Sequence, residues 1–204
     1  MERASKEFSL YQSYSISENK EFHNTFLQAT FEIESLSEAK LIDRRLQTQM
    51  NRLLYSNVIT ALETYLSDAL FNIVMSNPDL IQKVIETSPE FKNQKFDLSD
   101  IYKKYSSLES LASEYLVNII YHNISKVSQI YKSVLGVNFP KKLSPIYKAI
   151  TIRHDIIHRN GKDKNGQSII LDKGDVHQLL QDVRAFVAEV NLQIPSVVSD
   201  RENA

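Results

Sequence analysis

The chain has no cysteine and only four glycines among its 204 residues, and these two absences narrow its fold class. Without cysteine there are no disulfides and no thiolate metal sites, which fits a reducing compartment. The glycines fall at positions 136, 161, 166 and 174, so the first 135 residues contain none. Because a β-rich fold needs turn glycines about every ten residues, the composition favours an all-α fold.

Signals for export and for membrane insertion are also missing. Residues 1–14 are polar and lack the apolar stretch of a signal peptide. No run approaches the roughly 18 apolar residues of a transmembrane span. Since 42% of the residues are apolar and the length suits one domain, we expect a soluble, cytoplasmic protein with a sizeable core and no membrane partner.

Helical periodicity and cap signals predict the order of the elements. The predicted helices cover about residues 19–34, 37–75, 77–86, 107–134, 144–160 and 172–194. Asn77-Pro78 and Ser144-Pro145 each combine a capping residue with proline at a helix start. We predict an all-α, up-and-down bundle of four main helices plus short extra helices. It forms a single domain over 18–194, after a loosely ordered lead over 1–17 and before a disordered tail over 195–204.

The segment Thr151 to Gly161 reads Thr-Ile-Arg-His-Asp-Ile-Ile-His-Arg-Asn-Gly and is the most informative stretch of the chain. Arginine and histidine are the residue types that hold phosphates and move protons near neutral pH. The adjacent isoleucines Ile156 and Ile157 predict a buried side, which places Arg153 and His158 beside a core or an interface. These two residues are about 7.5 Å apart along a helix axis and about 140° apart around it. Both can therefore flank a groove walled by a second helix.

Positive charge is concentrated around this segment, although the whole chain has a formal charge of −1. Between positions 141 and 164 there are seven basic residues and two acidic ones, a local charge of +5. This cluster is either a solvated face or a small footprint for a polyanion. In the second case the candidate RNA-binding residues are Lys148, Arg159, Lys162 and Lys164.

An arginine and a histidine on one groove suit RNA cleavage. Imidazole can carry the proton of the 2′-hydroxyl or of the leaving 5′-oxygen, while guanidinium holds the phosphate and offsets the charge of the transition state. Arg153 and His158 are the candidate catalytic residues, and His154, Asp155, Asn160, His122 and Glu63 are candidate supporting residues. This scheme needs no metal ion and no cofactor.

The helical plan and the wording Arg-His-Asp-Ile-Ile-His-Arg-Asn-Gly-Lys together resemble the HEPN superfamily (higher eukaryotes and prokaryotes nucleotide-binding domains). The resemblance covers about residues 37–194. Residues 61–68 are similar to the second core helix of the family, and Tyr121-His122-Asn123 fits its third. The one specific motif is an arginine, a polar residue and a histidine after four intervening positions, met here by Arg153, His154 and His158.

The resemblance implies a metal-independent endoribonuclease that leaves a 2′,3′-cyclic phosphate and a 5′-hydroxyl. It also implies a homodimer in which two motif helices face each other across one composite cleft, and a role as a toxin or phage-defence effector with an antitoxin or regulatory partner. In members silenced by a nucleotidyltransferase, a tyrosine stands two residues after the motif histidine. Here that position is Asn160, which argues against regulation by that class of partner.

Two of the supporting residues also have purely structural interpretations. Glu63 lies in a strongly apolar stretch, where an exposed place on the polar edge of the helix is the simpler expectation. His122 lies in a polar triplet inside a predicted core helix. Such a triplet is usually a satisfied hydrogen-bonding cluster, and a histidine that faces the site is the alternative.

Two other functions remain open. His154-Asp155 is an HD dipeptide, and with His122, Asp172, Asp175 and Asp182 it loosely matches the ligands of metal-dependent HD phosphohydrolases. His154 and His158 are also four residues apart, so they share a helix face that suits a divalent ion. The non-enzymatic alternative is a HEPN-like dimerisation or RNA-binding module, in which Arg153 and His158 belong to a buried hydrogen-bonded pair.

Overall fold

The computed structural model describes the backbone of residues 2–92 and 108–194, and the side chains of residues 20–91 and 108–194. Helices account for most of these residues, which contain no strand and only an isolated antiparallel bridge between Lys162 and Ser168. The predicted all-α class is therefore confirmed. The helices are α1 (Glu2–Ser37), α2 (Arg44–Met75), α3 (Pro78–Thr87), α4 (Pro89–Lys92), α5 (Leu108–Val117), α6 (Ile124–Ile130), which continues into a π-helical turn (Tyr131–Leu135), α7 (Ser144–His158) and α8 (Lys173–Asn191).

The described residues form two compact units. The first contains those of Met1–Phe22, Leu66–Phe139 and Leu192–Ala204. The second, here called the motif unit, consists of His23–Tyr65 and Pro140–Asn191, and it holds the whole Thr151 to Gly161 segment. The single domain over 18–194 and the loosely ordered lead stay predictions, and the predicted tail over 195–204 lies outside the described residues.

The motif unit is a bundle of four helical segments from α1, α2, α7 and α8. Phe26 of α1 packs against Tyr65 of α2 with ring centroids 5.6 Å apart. The Tyr65 hydroxyl donates to Oδ1 of Asn191 at 2.9 Å, which ties α2 to the end of α8. The apolar stripe of α8 is buried throughout, from Val176 to Val190. These contacts tie α1, α2 and α8 together, and α7 packs against α8.

The first unit contains the other half of α2 together with α3 to α6. The buried Tyr131 hydroxyl donates to the carbonyl of Leu66 at 2.7 Å, which attaches the π-helical turn to α2. Tyr131 also packs on Phe139, with ring centroids 5.1 Å apart. The turn ends at Gly136, whose φ of 75° is left-handed, the conformation in which glycine commonly ends a helix.

The predicted boundary between the first two helices is wrong at both helices. Helix α1 begins at Glu2 rather than near Asn19, and Ser37 ends it rather than starting the next helix. The buried Ser37 hydroxyl donates to the carbonyl of Glu34 at 2.6 Å and hydrogen-bonds with Nε2 of His177 at 2.8 Å. Helix α2 begins after Asp43, whose Oδ1 accepts from the backbone of Arg45 at 2.7 Å. This cap was not recognised in the sequence because apolar periodicity runs on either side of it.

The long helix predicted over 107–134 is also wrong, because residues 118–123 form a connection between α5 and α6. Buried Tyr121 donates to the carbonyl of Leu116 at 3.1 Å. The side chain of Asn123 caps α6 by accepting from the backbone of Lys126 at 3.2 Å. The polar triplet is therefore a turn, with two of its members in structural roles, and not a cluster within a core helix.

One of the two predicted combinations of a capping residue with proline is confirmed. Asn77 accepts from the backbone of Asp79 at 3.0 Å with Pro78 at the first helical position. Asp172 and Asp175 cap α8 reciprocally, each accepting from the other's backbone N–H, at 2.9 and 3.0 Å. At α7 the prediction is wrong, because the cap is Leu143, which makes no side-chain capping bond, and Ser144 already belongs to the helix.

Helix α2 is long and apolar enough to cross a membrane by length and composition alone. However, 56% of its most apolar 18-residue stretch is buried inside the protein, which is the pattern of a core helix in a soluble protein. No other helix in the described ranges meets these criteria. The burial is compatible with the predicted soluble protein, and the cytoplasmic location stays a prediction.

Candidate functional site

The motif segment occupies the last two turns of α7 and the loop that follows. Ile146, Ala149 and Ile156 are buried, as a helix lying on a core requires. Ile157 points the other way and is 53% exposed. Ile156 and Ile157 therefore have different environments, and only Ile156 belongs to the buried side that the sequence predicts for both.

Arg153 lies against α2. One of its terminal nitrogens is 3.8 Å from Oε2 of Glu63, and the two side chains are only 22% and 19% exposed. This separation is within the range of an ion pair but too long for a hydrogen bond. The Nε–H of Arg153 is buried and has no hydrogen-bond partner among the described residues. The guanidinium is therefore held by charge rather than by a complete set of hydrogen bonds.

The position of Glu63 differs from the simpler expectation. It does not lie on an exposed polar edge of α2, because its side chain is mostly buried and faces Arg153. Removing a carboxylate from water without a counter-charge is costly, so the pairing explains how Glu63 is accommodated in an apolar stretch. Glu63 thus joins the candidate site as the neighbour of Arg153.

His154 and His158 form a pair on the exposed side of α7. Both side chains are exposed, and their ring centroids are 4.6 Å apart with the planes tilted by 43°. This contact follows from their spacing of four residues, which places them on one helix face. The geometry presents two imidazoles side by side to solvent, the first of them on the residue after Arg153.

Asp155 and Arg159 form a second pair, and each of them directly follows one of the two histidines in the sequence. Asp155 is buried, and its Oδ1 accepts from a terminal nitrogen of Arg159 at 2.5 Å. Arg159 is about half exposed, but its charge is opposed by this carboxylate. The pair leaves Arg159 with less net attraction for a phosphate than the exposed lysines nearby have.

The chain turns sharply after α7. Asn160 is exposed and adopts a left-handed φ of 53°, and Gly161 follows with a φ of 73°. The backbone N–H of Gly161 donates to the carbonyl of Ile156 at 3.2 Å, which closes the end of the helix. Asn160 is therefore a backbone turning point at the exposed end of the site.

The loop after Gly161 is fastened to α2. Nε and a terminal nitrogen of Arg52 donate to the carbonyl of Ile169 at 2.8 and 2.6 Å. The buried Asn51 side chain donates to the carbonyl of Leu171 at 2.9 Å. The sequence analysis did not identify either residue, because helical periodicity does not indicate which polar side chain will bond a backbone carbonyl far away in the sequence.

Within the loop, Asp163 organises a tight turn. Its carboxylate accepts from the backbones of Asn165 at 2.8 Å and Gln167 at 2.9 Å. Lys162 and Lys164 flank it and are exposed. The fourth candidate cation, Lys148, is exposed near the start of α7. The loop thus presents its lysines from an ordered backbone.

The residues of the metal hydrolase alternative are not assembled into a ligand set by the described part of the chain. There, no group of three or more histidine, aspartate or glutamate side chains has a geometry that could hold a metal ion. His122 is exposed in the connection between α5 and α6 and belongs to the first unit. The carboxylate of Asp155 is engaged by Arg159.

No family model, curated protein or solved structure matches this chain. The likeness to the HEPN superfamily therefore depends on the quoted motif residues and on their order along the helices.

Proposed function

We propose that the chain is a metal-independent endoribonuclease of the HEPN type that acts as a toxin or phage-defence effector. The observation that supports this most directly is the solvent-facing His154–His158 pair, which begins at the residue after a charged and incompletely hydrogen-bonded Arg153. A histidine pair that served only packing would have its rings in the core. Here the imidazoles are placed where a large substrate can reach them.

In this proposal His158 removes the proton of the 2′-hydroxyl, and the resulting oxygen attacks the adjacent phosphorus. The bond from phosphorus to the 5′-oxygen breaks, and an imidazolium of the same cleft protonates the leaving oxygen. The products are a 2′,3′-cyclic phosphate and a 5′-hydroxyl. Arg153 offsets the charge on the phosphate oxygens in the transition state, and Lys162 and Lys164 attract the backbone of the RNA.

The composite cleft of the proposal needs a second copy of the chain. Ile157 is 53% exposed and Tyr147 40% exposed on α7, which gives the motif helix an apolar surface of its own. Facing motif helices would cover these side chains and bring two His154–His158 pairs together. We expect a dimer at micromolar concentration in light scattering, and a monomer would contradict this part of the proposal.

The test is RNA cleavage in excess EDTA, followed by analysis of the product ends. We expect cleavage to continue, and His158→Ala to lower its rate by about 10²- to 10⁴-fold, the contribution of a general acid or base. Arg153→Lys should also fail, because an ammonium keeps the charge but loses the planar donor geometry. His122→Ala, at a candidate supporting residue, should cost less than His158→Ala. Glu21→Gln, which removes an exposed carboxylate outside the motif unit, is the control and should cleave normally.

The metal hydrolase alternative predicts the opposite effects of EDTA and of these substitutions on activity. EDTA would abolish activity, Asp155→Asn and His122→Ala would be inactive, and Arg153→Lys would be tolerated. A stoichiometric metal ion bound through His154 and Asp155 would also refute the ribonuclease. In cells, equal toxicity of the wild type and of His158→Ala would refute the catalytic role of that histidine.

The Arg153–Glu63 pair favours a second candidate, a non-catalytic HEPN-like dimerisation or RNA-binding module. That alternative expects Arg153 and His158 in a buried hydrogen-bonded pair. His158 is exposed instead, but Arg153 is mostly buried beside Glu63, which would suit a structural role for the arginine. The two candidates are separated by measuring binding and cleavage on the same RNA. Binding by fluorescence anisotropy without any cleavage product would favour the module.

A further inference from the structure

The motif unit contains a cleft of about 540 Å³ that the proposed cleavage chemistry does not use. It is lined by side chains of α2, of the first half of α7 and of α8. The volume lies in the range of pockets that hold small organic molecules. The lining residues that matter for its chemistry are Tyr55, Lys148, Ile152, Asp175, Gln178 and Asp182.

Tyr55 marks the inner wall of the cleft. The residue is only 6% exposed, and its hydroxyl has no hydrogen-bond partner in the part of the chain that the structure describes. Burial, with the nearby charges of Asp175 and Asp182, raises the pKa of this phenol to about 12. Tyr55 therefore stays a neutral hydroxyl at physiological pH, able to donate or accept. The rest of the Tyr55 side chain is buried while the residue lines the cleft, so its hydroxyl is available to a ligand that enters there.

The carboxylates give the cleft a net negative charge. Asp175 accepts a backbone bond from Asp172 at 2.9 Å, and Asp182 accepts from the amide of Gln178 at 3.2 Å. Neither has an ion-pair partner among the described residues. Lys148 is the one basic lining residue, so two negative charges and one positive charge leave −1.

The spacing of the carboxylates limits what they can bind together. Asp175 and Asp182 are seven residues apart on one helix, so they share a face and their backbones are about 10 Å apart. A single metal ion needs its ligands within about 2.6 Å of itself, so this spacing does not suit one ion. Two cationic groups joined by an apolar chain match both the spacing and the aliphatic wall that Ile152 provides.

We propose that this cleft is a binding site for a linear polyamine, with one ammonium group at Asp175, another at Asp182 and the methylene chain along Ile152. The Tyr55 hydroxyl accepts a hydrogen bond from an ammonium or from an inner amine of the ligand. The like charge of Lys148 opposes the ligand and keeps its affinity moderate.

The test is calorimetric titration of the full chain with spermidine, with octylamine and with octanol. We expect one spermidine site, weaker binding of the singly charged octylamine, and no binding of octanol. Equal affinity for spermidine and octanol would overturn the proposal, because the cleft would then select for apolar character alone. Absence of spermidine binding would overturn it as well.

Four variants locate the site. Asp182→Asn should weaken spermidine binding about tenfold, as expected for a lost hydrogen bond to a charged group, and Tyr55→Phe should weaken it less. Lys148→Met should strengthen binding, since a like charge is removed. Glu21→Gln is the control, because it removes an exposed carboxylate outside the cleft.

The signs of these changes make the result decisive. Opposite effects of Asp182→Asn and Lys148→Met, with Glu21→Gln unchanged, support the site. The same weakening by Glu21→Gln as by Asp182→Asn would refute it, because binding would then follow net charge. Circular dichroism of each variant checks that its helices are intact. Asp175 is left unchanged because it also caps α8.

Discussion

Gly161 is the position where a single methyl group should disturb the end of the candidate site most. It has a left-handed φ of 73°, and a Cβ added there would lie 2.5 Å from a terminal nitrogen of Arg52 and 2.7 Å from its Cζ. Real Cβ atoms essentially never come so close to another heavy atom. Gly161→Ala must therefore strain the backbone and also displace the guanidinium that fastens the loop.

The cost has two parts. A left-handed alanine costs about 1 kcal/mol. Displacing Arg52 disturbs two hydrogen bonds from a charged donor to the carbonyl of Ile169, and the loss of one such bond costs about 2 kcal/mol. We expect Gly161→Ala to lower the free energy of unfolding by about 3 kcal/mol, the sum of these two terms.

Gly166 provides the matched control. Its φ is 80°, also left-handed, but no atom lies within 4 Å of an added Cβ. Gly166→Ala should therefore cost only the backbone term of about 1 kcal/mol. The difference of about 2 kcal/mol between the two glycines isolates the contact with Arg52.

Urea unfolding followed by circular dichroism measures both variants, and a double-mutant cycle with Arg52→Ala tests the cause. In the Arg52→Ala background the guanidinium is gone, so Gly161→Ala should cost about as much as Gly166→Ala. Equal costs for the two glycines in the wild-type background would refute the reasoning. Independence of the Gly161 and Arg52 effects would refute it too.

Three further variants test other parts of the motif unit. Arg159→Ala should lower the free energy of unfolding by about 1 kcal/mol in urea titrations, because buried Asp155 loses its partner while half-exposed Arg159 limits the gain from pairing. Burial raises the pKa of Tyr55 in the folded state to about 12, so the free energy of unfolding falls as the pH rises from 10 to 12. Tyr55→Phe removes this titrating group and should make that fall smaller in urea titrations at each pH. Glu63→Gln should lower RNA cleavage by the ribonuclease of the proposal, but should only raise RNA affinity, by anisotropy, if the chain is a non-catalytic module.

The parts of the fold that could be predicted from sequence are those set by local chemistry. The cap at Asn77, the stop at Gly136 and the reciprocal caps of α8 depend on residues within a few positions of each other. The break at 118–123 depends on the burial of Tyr121 against the end of α5. Apolar periodicity continues across these residues, so it predicts an unbroken helix. Helix boundaries fixed by tertiary packing are therefore the ones that the sequence pattern missed.

The same division applies to the candidate site. The contact between His154 and His158 follows from their helical spacing, and their ring centroids are 4.6 Å apart. The link from Arg52 to Ile169 crosses 117 positions, and neither residue carries a local signal of it. Every residue type has a backbone carbonyl that can accept such a bond. The residue that accepts it therefore cannot be recognised from the sequence.

The pairing of Glu63 with Arg153 has opposite consequences for the two proposed functions. The carboxylate is 3.8 Å from the guanidinium in a mostly buried place, where charges interact more strongly than in water. A phosphate that approaches Arg153 is repelled by Glu63, yet Glu63 also holds the guanidinium in position. If Arg153 acts in catalysis, its orientation matters more than its charge, and losing Glu63 slows cleavage. If Arg153 only binds RNA, its charge matters more, and losing Glu63 tightens binding. The sign of the effect of one neutral substitution therefore separates the two proposed functions.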